Sequence, residues 1–209
     1  MRKRIIALRF GSSQEAAEFL SLVSEQMGDR VIVEQSGSSV KLIIPPSSGD
    51  ARGDYAKLLS LIRQWRLSRQ SPRGGVFKHS VALLLSAAKL RVGIPVSAVA
   101  ELLQLKGFRA ELEGGFLKTS ADFESAVRAA EEFSEKYAEA LDLEAAPLVR
   151  RLAAVLAAAH DRSIDEVVEA LKSAGLVKES EEGKLVLAVN YAEALKSASS
   201  LLEPRKRSI

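Results

Sequence analysis

The chain has 209 residues, 47% of them apolar, and a formal net charge of +3, which is typical of a globular protein long enough for two or three small domains. Cysteine is absent, which excludes disulfides, thiol nucleophiles and cysteine-bearing zinc sites and favours the cytoplasm as the compartment. The longest apolar runs are a handful of residues, far below the roughly 18 to 20 that a membrane span requires, so no membrane partner is expected.

Residues 1–70 show a hydrophobic period that changes along the chain. RIIALRF predicts a short strand, and SSQEAAEFLSLVSEQM predicts a helix with Ser12 or Ser13 as its N-cap. RVIVEQ and SVKLII alternate around a short SGS turn, which predicts a hairpin, and DYAKLLSLIRQWRL predicts a helix that buries Trp65. The order β-α-β-β-α predicts a module with a three-stranded sheet and two helices on one face.

A basic stretch, RQWRLSRQSPRGGVFK, runs from the end of this helix through a Gly/Pro linker at 71–78. Its first two arginines are three residues apart on one helical face, and the next two continue that side as far as the helix persists. Such a stripe can follow a phosphate backbone. The alternative is a solvated helix end, where cations are favoured in any case. The candidate nucleic-acid-binding residues are Arg63, Arg66, Arg69, Arg73 and Lys78.

Residues 79–144 have the element order α-α-β-β-α, which is typical of a winged helix. HSVALLLSAAKL and IPVSAVAELLQLK predict two helices, and Gly107 ends the second. GFRAELEGGFLKT predicts a hairpin around a Gly-Gly turn. The long segment SADFESAVRAAEEFSEKYAEAL predicts a third helix, with Ser120 or Asp122 near its N-cap.

Residues 145–203 repeat this pattern after a shift of 68 residues, and residues 204–209 form a basic tail. The hairpin GLVKESEEGKLVL then lies on GFRAELEGGFLKT, with its glycines in register. We interpret the pattern as a tandem duplication. The matched positions belong to the core and the turns, so they predict a shared fold rather than an activity. The clearest matches are Leu84 with Leu152, Glu101 with Glu169, Gly107 with Gly175, Gly115 with Gly183, and Asp122 with Asn190.

Charge is distributed unevenly. Residues 1–78 hold 13 Lys or Arg against 7 Asp or Glu, residues 79–144 hold 7 against 11, and residues 145–209 hold 10 against 9. A winged helix reads DNA with its second helix and its wing, where carboxylates would repel phosphates. The repeats are therefore expected to pack, dimerise or bind a protein partner. The carboxylates predicted at these exposed places are Glu101, Glu111, Glu113, Asp165, Glu166, Glu169, Glu179, Glu181 and Glu182.

Residue types that carry catalysis are scarce. The two histidines, His79 and His160, each fall at a predicted helix end and are expected to cap a helix or lie on the surface. The acidic run EEFSEKYAEALDLE has helical spacing, which favours a solvated face over an acid-base pair. The sequence shows neither a glycine-rich phosphate loop after a strand nor a Ser, His and Asp grouping. We therefore expect no enzymatic activity, no cofactor and no metal site.

Three resemblances bear on the fold. The first module is similar to K-homology RNA modules but lacks their Gly-x-x-Gly loop between two helices. Its element order is also similar to the small dimerising subunit of the archaeal tRNA-modifying complex, the Pcc-type fold. Most of the chain, from the opening strand through LLQLKGFRAELEGGFLKT to the second repeat, resembles a family of archaeal proteins of unknown function. That resemblance implies an archaeal, cytoplasmic setting and supplies no functional residues.

Composition agrees with such a setting. Asparagine occurs once, at Asn190, and methionine twice, whereas Glu, Arg, Lys and Ala are abundant. This avoidance of heat-labile side chains is typical of thermophiles.

Together these patterns predict a non-enzymatic α+β protein. Its N-terminal β-α-β-β-α module is expected to bind RNA or another polyanion, and its two winged-helix-like repeats to hold a protein partner or a second copy of the chain. The alternative is a protein adaptor or assembly subunit without a nucleic-acid role, in which the basic stripe meets an acidic protein surface.

Overall fold

The computed structural model describes residues 4–45, 49–69 and 75–203. Within these residues the chain is a mixed α+β protein with eight α-helices and three small antiparallel sheets. No helix in the described part is both long and apolar enough to span a membrane.

The N-terminal part follows the predicted element order. Its sheet has the order β1-β3-β2, with both pairs antiparallel. Alternate residues of the central strand, Val40, Leu42 and Ile44, are buried, because the two helices cover that face of the sheet. The elements are β1 (Arg4–Arg9), α1 (Ser13–Met27), a short 3-10 turn (Gly28–Arg30), β2 (Ile32–Ser36), β3 (Ser39–Ile44) and α2 (Ala51–Arg69).

Helix α1 begins and ends at residues that the sequence singled out. The Ser12 hydroxyl accepts a hydrogen bond from the backbone N–H of Glu15 at 3.0 Å, which identifies the N-cap. Gly28 ends the helix with a positive φ of 54°, a conformation that glycine adopts without strain. The apolar face of the helix packs on the sheet through Phe19 and Val23, and both side chains are buried, as predicted.

The segment after α2 differs from its prediction. The stretch around His79 was expected to be a linker followed directly by a helix, but Phe77–Ser80 forms a strand, β4, antiparallel to a later strand, β6 (Phe116–Thr119). The helix then starts at Ser80, whose hydroxyl is its N-cap, and it is short. A strand of four residues has too few positions for its alternation to show in the sequence.

The first helix-helix-hairpin-helix unit follows β4. Its hairpin strands pair antiparallel, so the sheet has the order β4-β6-β5. The link between its first two helices is fixed by Ser134, whose hydroxyl accepts hydrogen bonds from the backbone N–H groups of Arg91 and Val92 at 2.9 and 3.2 Å. The elements are α3 (Val81–Ala87), α4 (Val96–Leu105), β5 (Ala110–Glu113), β6 and α5 (Phe123–Ala140).

The second unit repeats this order, and its elements lie close to the register predicted by the 68-residue shift. Asp122 and Asn190 each cap the last helix of their unit, accepting a hydrogen bond from the backbone N–H three residues later. Instead of a third strand, the second unit has a single bridge between Ala145 and Leu185. The elements are α6 (Pro147–His160), α7 (Ile164–Ser173), β7 (Val177–Glu179), β8 (Leu185–Leu187) and α8 (Tyr191–Leu202).

The three parts share one hydrophobic core. Buried side chains from α1, α2 and the β1-β3-β2 sheet form a single cluster with those of both helix-helix-hairpin-helix units. At the first junction Trp65 packs edge-on against Phe123, with ring centroids 6.4 Å apart. Strand β4 lies beside α2, where the Ser80 hydroxyl donates a hydrogen bond to the Gln64 side chain at 3.1 Å. The end of α2 therefore forms part of the contact between the N-terminal part and the first helix-helix-hairpin-helix unit.

Candidate nucleic-acid interface

The predicted arginine stripe divides into an exposed part and a packed part. Arg63 and Arg66 are exposed on the outer face of α2, as the prediction requires. Arg69 is half-buried, because a step of three residues falls about 60° short of a full helical turn, so two steps move it about 120° away from Arg63. The predicted Arg73 lies outside the described residues. The stripe thus keeps two adjacent arginines on its solvent side.

Arg69 joins three helices. Its guanidinium lies 4.7 Å from the ring centroid of Trp65 and 5.5 Å from that of Phe123. Its Nη2 donates a hydrogen bond to the carboxylate of Glu18 on α1 at 2.5 Å. An arginine between aromatic faces and a carboxylate contributes to stability through cation–π and ionic contacts together. Arg69 therefore fastens α1, α2 and α5, and its role in ligand binding stays a prediction.

Lys78 lies on β4, in the sheet of the first repeat and not on the α2 face. It is exposed, and its ammonium lies 4.5 Å from the ring centroid of Phe116 on the neighbouring strand. The structure therefore places this predicted site residue on a different element from Arg63 and Arg66.

Arg9 is a basic residue that the sequence did not single out as a site. It ends β1, and it lines a cavity of about 210 Å³ together with Arg66 and Arg69. The available signal was weak: an arginine that interrupts an apolar strand. Only the packing of β1 against α2 brings Arg9 to the predicted stripe.

Most exposed arginines of the N-terminal part, Arg30 with its partner Asp54 excepted, differ from the cations of the repeats in their pairing. Within the described residues, Arg9, Arg52, Arg63 and Arg66 form no ion pair with a carboxylate, whereas most cations of the repeats do. Uncompensated arginines retain their full charge for an external anion. The ion-paired cations of the repeats are Arg91, Lys106, Lys118, Lys136, Arg151, Arg162, Lys172 and Lys184.

Glu101 corrects a prediction about the second helix of the first repeat. It was expected to be exposed, but it is half-buried and receives hydrogen bonds from Arg151 at 2.5 and 3.2 Å. The hydroxyl of Tyr191 donates a further hydrogen bond to it at 2.7 Å. Burial first, and then the bond to Glu101, raises the pKa of the Tyr191 phenol well above its usual range, so the phenol stays a donor. This cluster joins the two repeats and leaves Glu101 unavailable to repel a ligand.

His79 also differs from its prediction. It is fully buried on β4, and its Nε2–H donates a hydrogen bond to the backbone carbonyl of Ala121 at 2.9 Å. Its ring stacks on Phe77 and meets Phe123 edge-on, with both centroid distances 5.5 Å. Burial lowers the pKa of His79, so the ring is neutral at pH 7. The predicted surface or capping role is wrong for this residue, because Phe77 and Phe123 pack against its ring.

His160 does end a helix, as predicted. It is the last residue of α6, it is half-buried, and its Nε2 lies 3.4 Å from the Ser199 hydroxyl. Burial lowers the pKa of His160 as well. Neither histidine has a second titratable side chain placed for acid-base chemistry within hydrogen-bond reach in the described structure.

Two further observations concern other kinds of site. The part of the chain that the structure describes contains no group of three or more side chains placed to hold a metal ion. A cavity of about 510 Å³ lies between the N-terminal part and the first repeat, with Trp65, Arg69 and Phe123 in its wall. Its rim mixes both signs of charge, including Glu25, Glu124 and Arg128, so its lining does not favour one class of ligand.

The chain matches the model of a family described as uncharacterized proteins conserved in archaea, DUF2067, over residues 8–196. It therefore belongs to this family, which confirms the resemblance stated from the sequence. No match was found among curated proteins or solved structures.

Proposed function

We propose that the protein binds RNA through the outer face of α2 and the end of β1, and that its two repeats hold a protein partner or a second copy of the chain. The observation that carries the proposal is a group of exposed arginines on β1 and α2, Arg9, Arg63 and Arg66, that have no carboxylate partner in the described structure. Because a nucleic-acid backbone is a regular polyanion, such arginines can each replace a counterion.

The geometry of α2 supports contact with several phosphates. Arg52, Arg63 and Arg66 project within one arc of about 60° around the helix axis. The first and last of them are about 21 Å apart along the axis, at 1.5 Å per residue. A single strand lying along this face would pass all three guanidinium groups. The absence of a Gly-x-x-Gly loop in the sequence argues for backbone contacts rather than the K-homology mode.

The repeats support the second half of the proposal. We interpret them as winged-helix-like units, since both have the helix-helix-hairpin-helix order and the first adds a third strand. Their hairpins expose Glu111, Glu113, Glu181 and Glu182, and the neighbouring Lys118 and Lys184 are ion-paired with three of these carboxylates, so the hairpins offer little attraction to a phosphate backbone. A role in packing and partner binding fits these charges. The absence of enzymatic activity and the cytoplasmic, thermophilic setting belong to the same proposal.

An adaptor without a nucleic-acid role is the second candidate. It is favoured by apolar side chains at the surface of the N-terminal part: Leu59 lies between the arginines of α2 and is 40% exposed. On the face of the sheet away from the helices, Ile5 and Ile32 lie on either side of Ile43, and both are about half exposed. Exposed apolar side chains suit a protein surface better than a sugar-phosphate backbone.

Charge reversal on α2 tests the proposal. We expect Arg63→Glu with Arg66→Glu to weaken binding of a labelled single-stranded RNA by at least about tenfold in fluorescence anisotropy. The slope of log affinity against log salt should become shallower by about 1.4, since two phosphate contacts are lost. The matched control is Lys178→Glu with Lys196→Glu, which reverses two exposed, unpaired lysines of the second repeat and should leave RNA affinity nearly unchanged. Equal affinity of the α2 variant and the wild type would contradict the proposal and favour the adaptor.

A further inference from the structure

A small cavity lies where the end of β1, the start of α1 and the last turns of α2 meet. Its volume is about 210 Å³. Its floor is aromatic and aliphatic, with Phe10, Phe19 and Ile62, and its wall carries charged side chains. The charged residues that line it are Arg9, Glu15, Arg66 and Arg69.

The charges in this wall favour an anion. Three guanidinium groups face a single carboxylate, that of Glu15, which already accepts the backbone N–H of Gly11 at 2.8 Å. Arg69 is paired with Glu18 outside the lining, whereas Arg9 and Arg66 have no carboxylate partner in the described structure. Counted with Glu18, which pairs with Arg69, the site has an excess of one positive charge. At the N-terminus of α1, the Ser12 hydroxyl accepts the backbone N–H of Glu15 at 3.0 Å.

Unsatisfied polar atoms in the wall point the same way. Trp65, which is 5% exposed, has an indole N–H without an acceptor, and the Nε–H of Arg69 is also buried without one in the described structure. Both side chains line the cavity. A buried donor without an acceptor destabilises the folded protein, and both of these groups are donors. A ligand that satisfies them must supply oxygen acceptors.

Size and charge select the group. A volume of about 210 Å³ is below the roughly 300 Å³ at which sites enclosing a whole small-molecule ligand begin, but it accommodates a phosphate group. The excess of positive charge favours an anionic group. A phosphate monoester at the end of a strand has a nucleotide on one side only, so it enters a cavity of this size more readily than an internal diester, which has a nucleotide on both sides.

We propose that this cavity binds the terminal phosphate monoester of an RNA strand. Arg9 and Arg66 hold the phosphate oxygens, and the donors of Trp65 and Arg69 turn toward them when the group enters. This assignment rests on the proposed RNA binding for the remainder of the strand, which continues along α2 past Arg63.

Inorganic phosphate tests the cavity without RNA. Trp65 is the single tryptophan of the chain and lines the cavity, so its fluorescence reports occupancy. We expect saturable quenching or a spectral shift on titration with sodium phosphate at constant ionic strength, and a dissociation constant raised at least about fivefold in Arg9→Gln and in Arg66→Gln. Arg63→Gln, three residues along the same helix and outside the lining, should keep the wild-type value. No response to phosphate, or equal losses in all three variants, would overturn the site.

Calorimetry of Trp65→Phe separates hydrogen bonding from packing. The variant keeps an aromatic ring and removes the indole N–H. We expect Trp65→Phe to bind phosphate more weakly than the wild type by a factor of a few. Arg9→Gln and Arg66→Gln should keep the urea midpoint of the wild type, which shows that those variants are folded. Phosphate binding by Trp65→Phe equal to that of the wild type would remove the indole N–H from the site.

Three RNA strands of one sequence distinguish the terminal phosphate from the backbone: one with a 5′ phosphate, one with a 3′ phosphate and one with hydroxyl groups at both ends. We expect one of the phosphorylated strands to bind at least about fivefold more tightly than the hydroxyl strand, and Arg9→Gln to abolish that advantage. Equal, salt-sensitive binding of all three would overturn this inference and leave the proposed function standing. No RNA binding, with the response to inorganic phosphate intact, would overturn the proposed function and the assignment to RNA together.

Discussion

The two repeats use the same position in two chemically different ways. Each begins its last helix with an aromatic residue, Phe123 in the first repeat and Tyr191 in the second, 68 residues apart. An arginine covers each ring: the guanidinium of Arg69 lies 5.5 Å from the centroid of Phe123, and that of Arg151 lies 5.2 Å from the centroid of Tyr191. A glutamate from an earlier part of the chain pairs with each arginine.

The origin of the partners differs between the junctions. Arg69 and Glu18 both come from the N-terminal part and together present a stacked guanidinium to the first repeat. At the second junction Glu101 comes from the first repeat and Arg151 from the second, so the ion pair itself crosses the boundary. Tyr191 adds a hydroxyl that Phe123 lacks. The two helix-helix-hairpin-helix units therefore meet the preceding part of the chain at the same position, through a stacked arginine at the first junction and an ion pair at the second.

The largest expected effect comes from breaking the polar junction. Arg151→Ala should lower the free energy of unfolding by about 2–3 kcal/mol, because it leaves the half-buried Glu101 carboxylate with one hydrogen-bond donor. The expected loss is somewhat smaller than that for a fully buried ion pair, since this pair is partly exposed. Urea unfolding followed by circular dichroism measures the change. Arg162→Ala, which removes a surface ion pair with Glu166, is the control and should cost less than about 0.5 kcal/mol. Similar losses for the two variants would mean that the junction pair is no stronger than a surface pair.

A smaller effect is expected from making the second junction resemble the first. Tyr191→Phe retains the ring under Arg151 and removes the hydroxyl that donates to Glu101. We expect a loss of about 1–2 kcal/mol, typical of a hydrogen bond to a charged acceptor. The same urea experiment applies, with Tyr55→Phe, whose hydroxyl makes no hydrogen bond in the described structure, as the control. A change for Tyr191→Phe no larger than that of the control would show that the ring, and not the hydroxyl, accounts for the contact.

The smallest effect is expected from pH between 8 and 6, and it should arise mainly in the first repeat. Burial lowers the pKa of His79 below the pKa of the same side chain in the unfolded protein. The contribution of this histidine to the free energy of unfolding is therefore complete at high pH and declines as the pH falls toward and below about 6.5. The corresponding residue of the second repeat is Pro147, which does not titrate. Urea midpoints measured across this range should slope downward toward acid, and His79→Phe should flatten the slope more than His160→Gln. A slope unchanged in His79→Phe would exclude this histidine as its source.

The sequence predicted most of the local structure because local structure depends on local patterns. Alternation and turn residues predicted the sheet of the N-terminal part, and the glycines in register predicted where the second hairpin lies. Strand β4 escaped prediction, since four residues carry little periodicity and the partner of His79 on β6, Leu117, lies 38 residues away.

Side-chain roles in the candidate site were less predictable. The exposure of Arg63 and Arg66 follows from helix geometry. The same geometry places Arg69 on the side of α2 that faces α1, because each three-residue step rotates the next arginine around the helix axis. Arg9 could not be assigned from its neighbours in sequence, because only the packing of β1 beside α2 brings it to the stripe. The burial of Glu101 likewise depends on α6 lying across α4.

The contact between Trp65 and Phe123 also sets an order in time. Phe123 follows Trp65 by 58 residues, so a ribosome adding about 5 to 20 residues per second needs about 3 to 12 seconds to supply it. During that interval the emerging N-terminal segment lacks the Phe123 ring that packs against Trp65 at the end of α2. We therefore expect the end of α2 to reach its final packing only after the start of α5 has emerged from the ribosome.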